Sequence, residues 1–381
     1  MTEREAVIAL NMVDELGPVR VRALMDAFGS SHAVWEASEK ALMGVQGIGP
    51  RMAAAIVRQR GECDPVAEER RAAACGARIV THLDAEYPAN LKTIHDPPLA
   101  LYVRGKLTQE DGRAMAIVGS RRCTHYGRSV ADRFAFQLAR AGFTVVSGLA
   151  RGIDWAAHEG ALNAEGRTVA VLGSALDTLY PPEAGPLADR IVERQGAVVS
   201  EYTMGRKPDR TTFPYRNRVI SGWSLGVIVV EADIQSGAMI TAAQALEQGR
   251  TVFAVPGRLD SPASRGTHRL IKQGARLMED LADVYDELDY LKPAETGETQ
   301  PEMPGFAAFS FSADEERVVQ ALVGEDPPDV DSLAREVGMP AHKLSTLLVG
   351  LEMKRVVRML PGRRVALAVR ISPETATTST P

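Results

Sequence analysis

Six continuous apolar runs constrain this chain more than any other feature: MAIVG, FTVVS, TVAVLG, GAVVS, LGVIVVEA and TVFAVPG, all between residues 115 and 257. Runs this short, with no polar alternation, read as strands buried on both faces. The segments between them, such as GRSVADRFAFQLARAG, carry helical spacing instead. Strand, glycine-rich turn and amphipathic helix in repeated succession predict a parallel, doubly wound α/β sheet.

The flanks read differently. Residues 1–82 predict short helices with a faint repeat, since LGPVRVRALMDAFG and IGPRMAAAIVRQRG both open on an apolar-Gly-Pro step. VQGIGPRMAAAIV resembles a helix-hairpin-helix motif, which offers backbone N–H groups to a phosphate; the alternative is a tight turn between packed helices. The sheet domain is placed at residues 83–290, entered through a Pro-rich passage with a strand expected at Leu99 to Arg104. Residues 291–310 have the composition of a linker. Residues 311–371 run helix, helix, helix and hairpin about Pro361-Gly362, the order of a winged helix, and 372–381 form a polar tail without means to build a core. In the winged helix, His342, Lys343, Lys354 and Arg355 make only a weakly basic recognition surface, so nucleic-acid and protein contact both stay open.

With 381 residues the chain has room for two or three domains. Its net charge of -5 rules out a uniformly basic nucleic-acid binder, so any such contact must be local. The segment Met204 to Arg218 supplies that locality: Arg206, Lys207, Arg210, Arg216 and Arg218 stand against one acid, Asp209. Arginines beside Phe213 and Tyr215 suit a phosphodiester backbone with a ring stacked on a base, which points to single-stranded nucleic acid. The alternative is a solvated loop whose aromatic residues are core.

Ligands of doubly wound sheets sit at the carboxyl ends of the strands. Here those ends read Gly119-Ser120-Arg121-Arg122, Ser147-Gly148-Leu149-Ala150-Arg151-Gly152-Ile153-Asp154, and Glu231-Ala232-Asp233-Ile234-Gln235-Ser236-Gly237. Glycines permit close approach and helix N-termini bind anions, so the three turns together predict an anion site with Gly148 and Arg151 beside Arg121. Taken singly, each is a tight strand-to-helix turn.

Catalytic and cofactor chemistry has little support. GxxxxGK[ST] and GxGxxG are both missing, which counts against a P-loop and leaves dinucleotide binding with fold-level support alone. His125, His158 and His268 lack metal-ligand spacing and read as surface or helix residues, Ser147 and Ser200 lack a nucleophile elbow, and Asp154 reads as a cap or turn carboxylate. No metal, cofactor or catalytic residue is expected. Cys63, Cys75 and Cys123 show no CxxC pairing and suit a reduced, cytoplasmic protein. Neither a signal peptide nor a membrane span is expected.

AIVGSRRCTHYGR, VVSGLARGID…AH, FPYRNRVISG and VVEA…SGAMITAAQALEQGRTVFAVPG, in that order, closely resemble the DNA-processing protein A family (DprA, also called Smf). The resemblance covers roughly residues 84–280 and is looser over the flanking modules. It implies an extended Rossmann-like domain that binds single-stranded DNA without catalysis. It also implies a homodimer that acts in natural transformation, protects incoming strands and loads the RecA recombinase on them; duplex DNA is a further potential partner. By motif, the phosphate pocket would use Gly119, Ser120, Arg121, Lys207, Phe213, Arg216, Asn217, Arg218, Ser236 and Gly237. Phe213 would stack on a base, and Arg121 and Lys207 would bind phosphates. The sheet and SGAMITAAQ also look like the lonely-guy phosphoribohydrolases, which cleave nucleoside monophosphates with a glutamate of a PGGxGTxxE motif. Here Gln244 follows Thr241 and Ala243, so that carboxylate is missing.

Overall fold

The computed structural model describes residues 1–288, 312–322, 328–353, 356–360 and 364–367. The chain forms two compact units, Met1–Lys292 and Pro293–Pro381.

The first unit opens with α1 (Glu3–Met12), α2 (Pro18–Phe28), α3 (Ser31–Glu36), α4 (Glu39–Leu42), α5 (Pro50–Gln59) and α6 (Pro65–Ala74). Both α2 and α5 start with an extended glycine, Gly17 or Gly49, and a proline at the first helical position, where the missing N–H costs nothing. This is the structural form of the repeat read from the sequence. Leu10, Val21, Leu24, Trp35, Leu42, Ile48 and Ile56 build a core of their own.

The chain then enters a nine-stranded sheet. β1 (Ala77–Thr81) is its edge, although it lies in the segment read as helical; α7 (Ala89–Lys92) and β2 (Ala100–Gly105) follow. β2 falls where one strand was expected and pairs antiparallel with β1. Beyond it come β3 (Ala114–Val118), α8 (His125–Arg140), β4 (Thr144–Ser147), α9 (Ile153–Asn163), β5 (Thr168–Val171), α10 (Gly185–Glu193), β6 (Ala197–Ser200), α11 (Thr212–Trp223), β7 (Gly226–Val229), α12 (Gly237–Glu247), β8 (Thr251–Ala254), α13 (Arg265–Lys272), β9 (Arg276–Leu277) and α14 (Ala282–Glu287).

The strand order is β1-β2-β6-β5-β4-β3-β7-β8-β9, and every pairing from β6 to β9 is parallel. Winding runs from β3 outward to β6, then jumps back to β7 on the other side of β3. The switch point is therefore the β3/β7 boundary, where a ligand crevice opens. Successive residues of one strand serve opposite faces. Ala114, Ala116 and Val118 join Trp223, Ile220 and Leu91 on one side, whereas Met115 and Ile117 join Phe134, Leu138 and Phe143 on the other. Two-sided burial is why the runs in the sequence are continuously apolar.

The second unit contains α15 (Ala313–Ala321), α16 (Val330–Glu336), α17 (Ala341–Met353) and the antiparallel pair β10 (Val357–Leu360) and β11 (Arg364–Leu367). Val318, Leu333, Leu344, Leu348, Leu351 and Val365 form its core. Lys343 pairs with Asp314 of α15 at 2.5 Å, so that cation is engaged within the unit. The expected linker 291–310, the Pro361-Gly362 turn, Lys354, Arg355 and the tail 372–381 lie outside the described residues.

Candidate nucleic-acid interface

At the β3/β7 switch point the strand ends enclose a cleft of about 570 Å³. Gly119, Ser120, Arg121 and Arg122 line it from β3, Asp233, Gln235, Ser236 and Gly237 from β7 and the start of α12, and Arg210, Phe213, Arg216 and Asn217 from the basic loop and α11. Arg121, Arg122, Arg210 and Arg216 outnumber the acids Asp154 and Asp233, so the cleft is cationic on an acidic protein.

Glycine is required where backbone and side chains crowd. A Cβ on Gly119 would stand 2.6 Å from Ile153 Cγ1 and 2.9 Å from the Glu231 carbonyl. One on Gly173 would meet the Phe213 ring at 2.6 Å. Gly237, by contrast, faces open space at the N-terminus of α12, which points its dipole at the cleft. The N-terminus of α8 already holds an anion. The buried Glu231 carboxylate accepts from Thr124 N at 2.8 Å and from Thr124 Oγ1 at 2.5 Å.

The three arginines assigned to the phosphate pocket by motif have different surroundings. Arg121 is exposed, with its guanidinium carbon 4.8 Å from the centroid of the Phe213 ring. Phe213 also meets Tyr180 at an interplanar tilt of 53°, with 5.6 Å between centroids. Arg216 is 4% exposed and points inward. Its Nη1 donates to the Gly148 carbonyl at 2.9 Å and to Val171 O, and its Nε to Asn217 Oδ1 at 3.2 Å. Burial pushes its pKa down to about 10, with Asp154 opposing that shift. Asp154 is buried too, and burial raises its pKa although Arg216 and the N–H groups of Gly148 and Ala150 favour the carboxylate. It is the turn carboxylate foreseen.

Arg218 is 3% exposed and is directed elsewhere. It pairs with Glu201 and with Asp96 (3.2 Å), and lies 4.1 Å over Tyr215. Burial lowers its pKa, but Glu201 and its other neighbours more than offset this, leaving it raised. The Tyr215 hydroxyl reaches the start of α2, where a Cβ on Gly17 would lie 3.6 Å away. Neither Arg218 nor Lys207 is among the described residues lining the cleft. Gly148 and Arg151 line a small adjoining hollow with Tyr180, and Arg151 pairs with Glu183.

The basic loop is held at its root. Met204 N donates to the buried Glu68 at 2.7 Å, Arg71 donates to Met204 O at 2.5 Å, and Tyr102 OH donates to the same Glu68 at 2.8 Å. Ahead of α11, Asp209 accepts from the Thr211 hydroxyl (2.5 Å) and from the N–H groups of Thr211 (2.7 Å) and Thr212 (3.0 Å), which together lower its pKa. Arg210, between these groups, lines the cleft. By sequence Arg210 belongs only to the basic loop, and Asp233 and Gln235 only to a strand end; the structure adds all three to the cleft, and the density of polar residues between motif blocks is the signal that marks them.

A doubly wound α/β domain with a cationic strand-end cleft, preceded by a tandem of Gly-Pro-started helices and followed by a winged helix, defines the class. Residues 78–289 match the DNA recombination-mediator protein A family, 299–363 the DprA winged helix domain, and 7–62 the SAM-like helix-hairpin-helix tandem. The chain belongs to the DNA recombination-mediator protein A (DprA/Smf) family. It is 40% identical to the protein Smf of Escherichia coli over 288 residues, covering 74% of this chain and 75% of that one. It is 44% identical to the DNA processing protein DprA of Bacillus subtilis over 214 residues, covering 56% and 72%. Its fold matches DNA processing protein A of Streptococcus pneumoniae with a TM-score of 0.65 at 32% identity, over 75% of this chain and 98% of that one. DNA processing protein A of Helicobacter pylori, described for its single-stranded DNA binding mode, matches with a TM-score of 0.50 at 30% identity, over 57% and 98%.

Proposed function

We propose that this chain binds single-stranded DNA in the strand-end cleft and acts, without catalysis, as a recombination mediator that protects the strand and loads RecA on it. The observation that carries the reading is Arg121 stacked on Phe213 at the rim of a cleft that also holds Arg122 and Arg210. Guanidinium groups neutralise phosphates, and a ring offers a sequence-tolerant face to a base. The binding mode described for the Helicobacter pylori relative supports the same ligand here. Family membership supports the role in natural transformation, the cytoplasmic homodimer and the transfer to RecA. Lys207 and Arg151 remain in the proposal as exposed cations for a longer strand, Arg151 from the hollow that adjoins the cleft.

The non-enzymatic reading is supported by what the polar groups already do. Asp154 and Glu231 are engaged by backbone and threonine donors, and Gln244 donates to Pro214 O at 3.1 Å where a hydrolase of the alternative class would need a carboxylate. The test is an electrophoretic shift with single- and double-stranded oligonucleotides, comparing the full chain with Arg121→Ala. Weaker single-strand binding and a log–log salt slope flatter by about 0.7 are expected. Equal binding by the variant overturns the site. RecA filament formation on a strand coated with single-strand binding protein tests the loading step, and release of free base from a nucleoside monophosphate would favour the hydrolase.

A further inference from the structure

We propose that the strand continues beyond the cleft, over Arg121 and Tyr180, into a second depression at the N-terminal ends of α8 and α9; this rests on the single-strand reading above. The depression measures about 690 Å³ and shares Arg121 with the cleft. The small hollow containing Tyr180 and Phe213 joins the two, and it shares Arg151 with the second depression. One side chain, Arg121, therefore borders all three.

The junction is built for a nucleotide. Tyr180 is 40% exposed and tilts against Phe213, on whose ring Arg121 also lies. A base leaving the cleft meets the Tyr180 ring, while its phosphate passes between Arg121 and Arg151. Farther on, Arg128 and His125 line the depression. The acids there are Glu159, Glu183 and Asp132. Glu159 is engaged by Arg190 at 2.8 Å, and Glu183 by Arg151. The Arg151–Glu183 pair is solvent-exposed, so its partners separate at little cost and a phosphate can replace the carboxylate. Glu183 is then a competitor for the strand.

The test measures binding of the full chain to oligothymidylates from about 4 to about 16 nucleotides, the span of single-strand site sizes. Tyr180→Ala is expected to weaken the longer strands about tenfold and the shortest far less, the latter only through the support its ring gives Phe213. Tyr180→Phe should retain binding, and Glu183→Gln should tighten the longer strands. Strands carrying 5-iododeoxyuridine should cross-link to Tyr180. Matched melting curves exclude misfolding. If Tyr180→Ala and Glu183→Gln bind every length as the unaltered chain does while Arg121→Ala is weakened, the strand stops in the cleft and the extension is wrong. If Arg121→Ala is unaffected as well, the cleft reading itself fails.

Discussion

Arg216 and Gly148 form a single packed unit: the arginine Nη1 donates to the glycine carbonyl at 2.9 Å, and a Cβ on that glycine would stand 2.6 Å from Nη2. The glycine of the SGLARG turn is thus a seat for a buried guanidinium. Gly148→Ala is expected to displace Arg216 and to destabilise the domain by about 1–3 kcal/mol, the usual cost of overpacking. Urea unfolding measures it; an unchanged midpoint would show that the turn yields freely.

Arg218 should behave as a structural residue. Arg218→Met removes the partner of Glu201, whose pKa burial already raises, and leaves a carboxyl without its counter-ion. Breaking a buried pair from one side costs on the order of 3–5 kcal/mol. The expected result is a large fall in unfolding free energy, with single-strand affinity little changed wherever the protein stays folded. Lower affinity at full stability would instead make Arg218 a strand contact.

Arg121 and Phe213 should couple. Because the guanidinium lies over the ring, each single variant also disturbs the other group. Phe213→Ala is expected to cost about 1–3 kcal/mol of binding, and the double variant less than the sum of the singles. Fluorescence-anisotropy titrations over the four-membered cycle measure the difference; strict additivity would place the two side chains on separate parts of the strand.

The loop cations offer a comparison between position and composition. Arg210 lines the cleft and Lys207 does not. Arg210→Ala is expected to flatten the salt slope by about 0.7 with any strand length, whereas Lys207→Ala should do so only with strands long enough to leave the cleft. Affinity measured across a salt series distinguishes the two.

Acid stability should report His158. It is fully buried, its Nδ1 lies 2.7 Å from Thr168 Oγ1, and burial, with Arg216 nearby, holds its pKa at about 3. The Thr168 hydroxyl donates to Val145 O, so the imidazole Nδ1 donates to Thr168. The unfolded histidine titrates near 6.5, so below that pH the unfolded state binds the extra proton and stability falls with pH. The slope is about 1.4 kcal/mol per pH unit from one such group, extending down to the folded value. Urea midpoints at pH 7 and pH 5 should differ accordingly, and His158→Gln should lose that component of the difference.

Much of the fold was legible because its causes are local. Two-sided burial imposes unbroken apolar runs, and the Gly-Pro steps at Gly17 and Gly49 initiate helices through their own backbone preferences. β1 was not legible, although Ile79, Val80 and Thr81 are β-branched: the segment follows directly on a helical run, and its antiparallel pairing with β2 is what makes it a strand. At the site, the three strand ends and the basic loop were visible as clusters of glycine and arginine. Their convergence at the β3/β7 crevice follows from a winding order that no single segment encodes.

Sequence by itself determined the doubly wound sheet, the flanking helical modules and the identity of the residues that gather at the strand ends. Only the tertiary structure decided which arginines of the motif blocks meet solvent. Arg121, Arg216 and Arg218 have the same chemistry, yet one lies over Phe213 on an exposed rim, one is buried with its guanidinium on the carbonyls of Gly148 and Val171, and one is paired with Glu201 and Asp96. The reason is that burial depends on partners distant in the chain: the charge of an arginine is written at its own position, but its solvation is set by what the fold places around it.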